Sequence, residues 1–279
     1  AELYKKEAAN QETLDKFGHG TPNDWIEHNI YSKFSWQGVA IMLILDVFLF
    51  GAIGLTVWAV QMLWIPITAA GVINGIGHYW GYRNFDNEDA SRNIVPWGIL
   101  IGGEELHNNH HTFATSAKLS NKWYEVDIGW MYIQMMSVIG LATVKKIPPK
   151  PVLSDLRPAD QDTLEAIIAN RYEIMARYSK TLRRFFSNEV QHMQVLAAHL
   201  SDARTWLAKD ESRLTEQEKA KLEELMASNA QLRKMIEMRR DLHAIWSRSS
   251  ASREQLVSQL HAWCQRAEES GLSSLRDFS

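Results

Sequence analysis

Cysteine is nearly missing from this chain. Only Cys264 carries a thiol among 279 residues, so no intrachain disulfide and no cysteine-based zinc cluster can form. Any metal must be bound through nitrogen or oxygen. A large charge of either sign is missing too: 30 Lys plus Arg against 33 Asp plus Glu leave a net −3, which gives no electrostatic case for nucleic acid as a main partner. From Gln37 to Trp80, 44 residues, Asp46 is the only charged side chain. Proline is absent after Pro158, which removes the strongest helix breaker from the C-terminal part. No secretory signal opens the chain, because AELYKKEAANQETLDKFG is polar and helical in character.

The uncharged stretch is long. A membrane span takes about 20 residues, so it fits two spans joined by a tight turn, with Trp58, Trp64 and Pro66 near its middle. Tryptophan recurs at the apolar borders, at Trp36, Trp58, Trp64 and Trp80, as expected of side chains that settle at headgroup level. The competing reading, a buried hairpin in a soluble protein, needs more apolar chain elsewhere than this sequence has. Lys5, Lys6, Lys16 and Lys33 precede the stretch, and Arg83, Arg92, Lys118 and Lys122 follow it. Excess positive charge marks the cytoplasmic side. The expectation is a multi-pass protein of the inner (cytoplasmic) membrane with both flanks cytoplasmic.

The expected fold is all-α: a membrane helical hairpin, a cytoplasmic helical metal-bearing region and a long soluble helical tail. Residues 1–35 read as a cytoplasmic lead-in, broken near Gly18, Gly20 and Pro22, with Asn23 or Asp24 able to cap the next helix. Residues 36–82 form the hairpin, 83–150 the histidine-bearing region and 151–279 the tail, entered through the Pro-rich boundary 145–158. Segment 123–146 is amphipathic enough to lie on a membrane surface, with Trp123 and Trp130 as anchors. The tail balances 19 Lys plus Arg against 19 Asp plus Glu. Along 216–246, Leu222, Leu225, Met226, Leu232, Met235, Ile236, Met238 and Leu242 recur at helical spacing, which suits solvated helices packing on each other or on a partner. The scattered His192, His199, His243 and His261 read as surface or packing residues.

The chemistry concentrates in GGEELHNNHHTFATS, residues 102–116. His107, His110 and His111 stand at i, i+3 and i+4, so on a helix they share a face with Cβ atoms roughly 5–6 Å apart. Imidazoles that close either bind metal or repel one another when protonated; a merely histidine-rich polar loop is the bland alternative. His78 follows in VINGIGHYWGYRNFDNED, at the cytoplasmic end of the second span, with Asn74 one turn earlier. An ionisable group there is an interface histidine or a ligand, and the 107–111 cluster favours the ligand. Imidazole accepts Zn, Cu, Fe or Ni. Three ligands from one turn crowd a single tetrahedral ion and suit two adjacent ions. Glu104 and Glu105 either fix the tautomers of ligating imidazoles or are plain surface acids.

NGIGHYWGYRNF and GGEELHNNHHTF together resemble the membrane fatty acyl desaturases, the histidine-box group that includes stearoyl-CoA desaturases and bacterial acyl desaturases. HNNHH is similar to that family's last box, and NGIGH with YWGYRNFD to the segment supplying an extra histidine and a water-bridging asparagine. The resemblance covers about residues 1–147, and the long tail looks like that of the bacterial branch. It implies iron ligands at His78, His107, His110 and His111, and Asn74 reaching a metal through water. It implies two iron ions in the intact protein, and no catalytic residue apart from the metal site. The activity implied is removal of two vicinal hydrogens from a saturated acyl chain, carried on CoA or lipid, using O2 and two electrons. A ferredoxin or flavoprotein reductase would deliver the electrons.

The family's earlier boxes, HxxxxH and HxxHH, are absent: before residue 78 only His19 and His28 occur. The polar opening and the Ala1 start lead to the expectation of a fragment lacking an N-terminal hairpin and about half the ligands, inactive alone. Three rivals remain. A fatty acyl hydroxylase or acetylenase shares the boxes. A soluble carboxylate-bridged diiron bundle would use Glu104 with His107 and Glu189 with His192. A non-catalytic membrane-anchored helical scaffold would bind zinc or nothing.

Overall fold

The computed structural model describes residues 6–7, 10–18, 24–34, 36–151, 158–192, 200–247, 250–276 and 278. The described chain is helical, with one two-stranded exception, and divides into two compact units, Ala1–Ala69 and Ala70–Ser279. His19 and His199 lie outside the described residues, as do Lys5, Gly20, Pro22 and Asn23 and the side chains of Glu189 and His192.

In the first unit, α1 (Gln11–Phe17) is capped by Asn10, and Glu27–Tyr31 makes a π-helical turn. Helix α2 (Gln37–Phe50) then doubles back into α3 (Ile53–Tyr79). The turn falls at Gly51, whose φ of +61° is a left-handed conformation that costs glycine least. Gly54 lets the two helices close, since a Cβ there would overlap the Asp46 carbonyl. Trp58 Nε1 donates to Val39 O at 3.2 Å across the pair. The turn therefore precedes Trp58, Trp64 and Pro66, which the sequence placed near its middle. Pro66 stays helical because Pro66–Ile76 winds as a π-helix, which relieves the clash of a proline ring in an α-turn, and the Thr68 hydroxyl donates to the Trp64 carbonyl at 2.6 Å. Of these two helices, α3 is long and apolar enough to cross a membrane by length and composition, while α2 is shorter at 14 residues. Phe48, Leu49, Ile53, Leu55, Leu63 and Trp64 are exposed around the pair.

The second unit begins with the end of α3 and a loop-rich segment held by one buried carboxylate. Strands β1 (Trp97–Gly98) and β2 (Val126–Asp127) pair in parallel, and α4 (His107–Thr112) and α5 (Ile128–Val138) flank β2 in sequence. Glu125, just before β2, is buried. Its Oε1 accepts from Tyr82 Oη at 2.8 Å and Asn84 Nδ2 at 2.6 Å. Its Oε2 accepts from Asn109 Nδ2 at 2.9 Å and from the backbone N–H groups of Asn121 and Lys122 at 2.7 and 2.9 Å. Burial and this carboxylate push the Tyr82 phenol well above its ordinary value. Asp127 staples the next corner, accepting from Leu119 and Ser120 N–H through Oδ2 and capping α5 through Oδ1. Trp123, Met131, Met135 and Val138 are exposed along the segment expected on a membrane surface.

The tail runs through α6 (Gln161–Ala169), α7 (Arg171–His192), α8 (Leu200–Trp206), a 3₁₀ turn (Glu211–Arg213), α9 (Glu216–Ser228), α10 (Ala230–Ser247), α11 (Arg253–Glu268) and α12 (Ser273–Arg276). Capping boxes start α9 at Thr215 and α11 at Ser252. The eight residues singled out between 222 and 242 are all buried. Their run is nevertheless two helices: Asn229 is extended and its side chain accepts from Leu232 N–H, starting α10 anew. Within the core, Tyr178 Oη donates to Met235 O and Trp263 Nε1 to Met238 O, each at 2.7 Å, so both large side chains are buried with their polar ends satisfied.

Two substitutions test this frame. Trp263→Ala should cost about 3–5 kcal/mol in denaturant unfolding followed by loss of tail helicity. Glu125→Ala strands several buried donors at about 1–3 kcal/mol each; a melt lowered by several degrees, with amide exchange rising across 82–93 and 107–112, is the expected result.

A candidate metal centre

Three of the four histidines singled out by sequence converge. His78, at the end of α3, meets His107 and His111 of α4 so that one ligand nitrogen from each lies within 4.8 Å of the others. The Nε2 atoms of His78 and His107 face each other at 3.0 Å, and the rings of His107 and His111 stand 4.2 Å apart. Gly77 makes the approach possible: a Cβ there would sit 3.1 Å from the His107 ring. His110 lies outside the trio, its ring 6.2 Å from His107 and 5.7 Å from His111. Helical winding of about 100° per residue explains the split. Positions 107 and 111 point about 40° apart, whereas 110 is turned about 100° from 111. Asn74 has an exposed side chain one turn before His78.

The His111 ring is set by a neighbour on another segment. His111 Nδ1 donates to Asp89 Oδ2 at 2.6 Å, which fixes the proton on Nδ1 and leaves the Nε2 lone pair for a cation. Burial works to raise the Asp89 carboxyl, but the hydrogen bonds from Ser91 and His111 outweigh it and hold it at about 2. Glu104 Oε2 stands 3.9 Å from His107 Nδ1, and proximity to His107 keeps the Glu104 carboxyl below its ordinary value against the opposing effect of burial. Glu105 does different work: its buried carboxylate accepts from the Leu100 and Ile101 N–H groups at 2.7 and 3.0 Å. The two asparagines between the histidines anchor α4 from below. Asn108 Oδ1 accepts from the backbone N–H groups of Asn84 and Phe85, and Asn109 joins Glu125 and Asn93.

The donor set fits a cation. A metal–imidazole distance of about 2.1 Å puts adjacent ligand atoms about 3.0–3.4 Å apart, which matches the facing His78 and His107 nitrogens. Among the described residues the buried Nδ1 atoms of His107 and His110 have no hydrogen-bond partner. Sequence reasoning missed Asp89 and Glu125. They lie 22 residues before His111 and 16 after Asn109, and no periodicity connects them to the cluster; the acid-rich DNED run was the only signal.

Comparison with known proteins divides the chain. A family model described as Transposase matches residues 164–279, the helical tail. No solved structure matches. Among curated relatives, the Delta-9 acyl-lipid desaturase 1 of Arabidopsis thaliana is 31% identical over 139 residues, 48% of this chain and 46% of that protein. The sn-1 stearoyl-lipid 9-desaturase of Anabaena variabilis is 34% identical over 131 residues, 46% of this chain and 48% of that protein. The sn-2 palmitoyl-lipid 9-desaturase of Nostoc sp. (strain 36) is 43% identical over 79 residues, 28% of this chain and 27% of that protein. The chain spans about half or less of the length of these relatives, and over that span it is similar to the acyl-lipid desaturases.

Proposed function

We propose that this chain carries part of the iron site of a membrane fatty acyl desaturase. One observation carries the reading: His78 meets His107, 29 positions further along the chain, together with His111, in a sequence similar to proteins named delta-9 desaturases. His78, His107 and His111 hold one ion. His110, turned aside, serves a second, and Asn74 reaches a metal through water. Bound iron supplies the redox power to remove two hydrogens from an unactivated acyl chain with O2 and two electrons, chemistry beyond side-chain acids and bases. The protein's own part is to hold the imidazoles: Asp89 orients the His111 ring, Gly77 admits the His107 ring, and Glu125 anchors the helix beneath them. The four imidazoles are too few for two fully ligated ions; within these 279 residues the trio would hold one ion, and His110 would serve a second only where further ligands join it.

The uncharged run before His78 and the basic residues on either side of it support a site at the cytoplasmic face of an inner membrane, in a multi-pass arrangement. The substrate class is an acyl chain on a lipid, which the names of the relatives favour over CoA, and a ferredoxin or flavoprotein reductase is the electron donor. The alternative of a fatty acyl hydroxylase uses the same ligands and differs in product. The transposase match favours a second reading, DNA handling by the tail. The even balance of 19 cationic and 19 anionic residues from 151 onward weighs against it, and a gel-shift titration with duplex DNA at 50 and 200 mM salt separates the two.

Cobalt(II) titration of the full chain in detergent is expected to give one tight equivalent with visible absorption. His78→Ala and His111→Ala should each weaken it at least tenfold, and Gly77→Val, which pushes the His107 ring away, should weaken it by a similar factor. Binding that survives loss of both His78 and His111 would remove the basis of the reading.

A further inference from the structure

We propose that the helical tail is a clamp on the metal centre, with Arg213 as the positioning residue that holds the 83–91 loop and, through it, His111. This inference rests on the metal reading only for its second readout. The contact has two rigid sides. On the tail, the 207–213 segment is pinned from α10: buried Arg239 donates to the Leu207 and Lys209 carbonyls at 2.8 and 2.6 Å, and Arg240 Nε donates to both Glu211 oxygens at 2.9 and 2.8 Å. Asp210 folds back to cap Ser212 at 2.9 Å, and its other oxygen faces His243 Nε2 at 3.3 Å. From that platform Arg213 Nη1 donates to Asp86 Oδ1 and, at 2.6 Å, to the Asn87 carbonyl. The Asp210 N–H donates to the second oxygen of Asp86.

The loop so gripped touches α4 repeatedly, through Asn84 as well as through Phe85, Asn87 and Asp89. Asn87 Nδ2 donates to Thr112 Oγ1 at 3.2 Å and to Ser91 Oγ at 3.1 Å. The Phe85 N–H and carbonyl exchange hydrogen bonds with the Asn108 side chain at 3.0 Å each. Asp89 Oδ2 accepts a hydrogen bond from His111 Nδ1 at 2.6 Å. Inside the loop, Arg83 donates to the carbonyls of Phe85, Asn87 and Asp89 at 3.3, 3.0 and 2.8 Å, so the loop moves as one piece. A displacement at Asp86 is therefore delivered to Asp89 and to the ring it orients. Two further tail contacts, Lys122 with Glu173 at 2.9 Å and the Tyr172 ring against Phe113 at 6.2 Å, register the same face. A tail whose only purpose was its own core would not need a guanidinium and a backbone N–H converging on one carboxylate of another segment.

The test uses the full chain in detergent micelles. Hydrogen–deuterium exchange is expected to rise at least tenfold across 83–91 and 107–112 in Arg213→Ala, while 230–247 stays as protected as in the unaltered chain. Arg213→Lys, which keeps a cationic N–H donor but not the planar guanidinium, should restore part of the protection. Glu165→Gln, whose partner Arg253 lies within the tail, should change neither segment. If Arg213→Ala also loosens 230–247, Asp86→Asn releases the clamp from the other side with the tail untouched and decides the matter. Cobalt affinity is the second readout: Arg213→Ala and Asp86→Asn should each weaken it about tenfold, the usual effect of removing an outer support, without abolishing it as His111→Ala does. Unchanged exchange at 107–112 in both clamp variants overturns the proposal. Absence of cobalt binding by the unaltered chain overturns the metal reading and leaves the exchange result to judge the clamp.

Discussion

A buried carboxylate with five short donors is the constraint on which the histidine region depends. Glu125 is removed from water, and an isolated charge so placed would be costly. It is tolerated because a phenol, two asparagine amides and two backbone N–H groups converge on it at 2.6–2.9 Å, and hydrogen bonds to an ionised acceptor are about twice as strong as neutral ones. The donors come from three stretches of chain: the 82–84 segment, helix α4 and the turn before β2. With little regular structure between residues 80 and 106 to fix this region, satisfying Glu125 is what brings those stretches into one arrangement. The same requirement presents α4 with its asparagines inward and its histidines toward α3.

The histidines were legible because their geometry is local. A spacing of i, i+3, i+4 means the same thing in any protein, and the uncharged run before His78 limits where that residue lies. Which of the three faces His78 was not legible, since it depends on the azimuth at which α4 meets α3. Asp89 and Glu105 show the other limit. Both are acids near the cluster in sequence; one proved to orient His111, the other to hold the Leu100–Ile101 backbone, and nothing in their spacing told them apart. Tertiary partners of a clustered histidine are chosen by loop path, and a loop path leaves no period.

The apolar and the charged halves divide in the same way. Helical character was readable in both, from the run of uncharged residues and from the eight core positions between 222 and 242. Interruptions were not. The hairpin turns at Gly51, where only backbone permissiveness marks the site, and passes through Pro66 by π-winding in place of turning. The tail breaks at Asn229, inside an unbroken hydrophobic period, because an asparagine that caps the following helix competes locally with helix continuation.

The tail's charge balance acquires a meaning from this arrangement. Its acids and bases are not a uniform solvated coat. Arg239, Arg240 and His243 lie on α10 and stiffen one short segment, and that segment offers Arg213 outward. Arg213 finds Asp86, three residues from the acid that orients His111. A neutral sum thus conceals a directed arrangement, with cations of one helix committed to carbonyls and carboxylates of a turn, and the turn's remaining cation committed to another segment. Surface ion pairs of this kind contribute little to stability singly. Their value is positional: one guanidinium nitrogen that donates to both the Asp86 carboxylate and the Asn87 carbonyl fixes direction as well as distance, and Asp89 of the same loop holds the His111 ring.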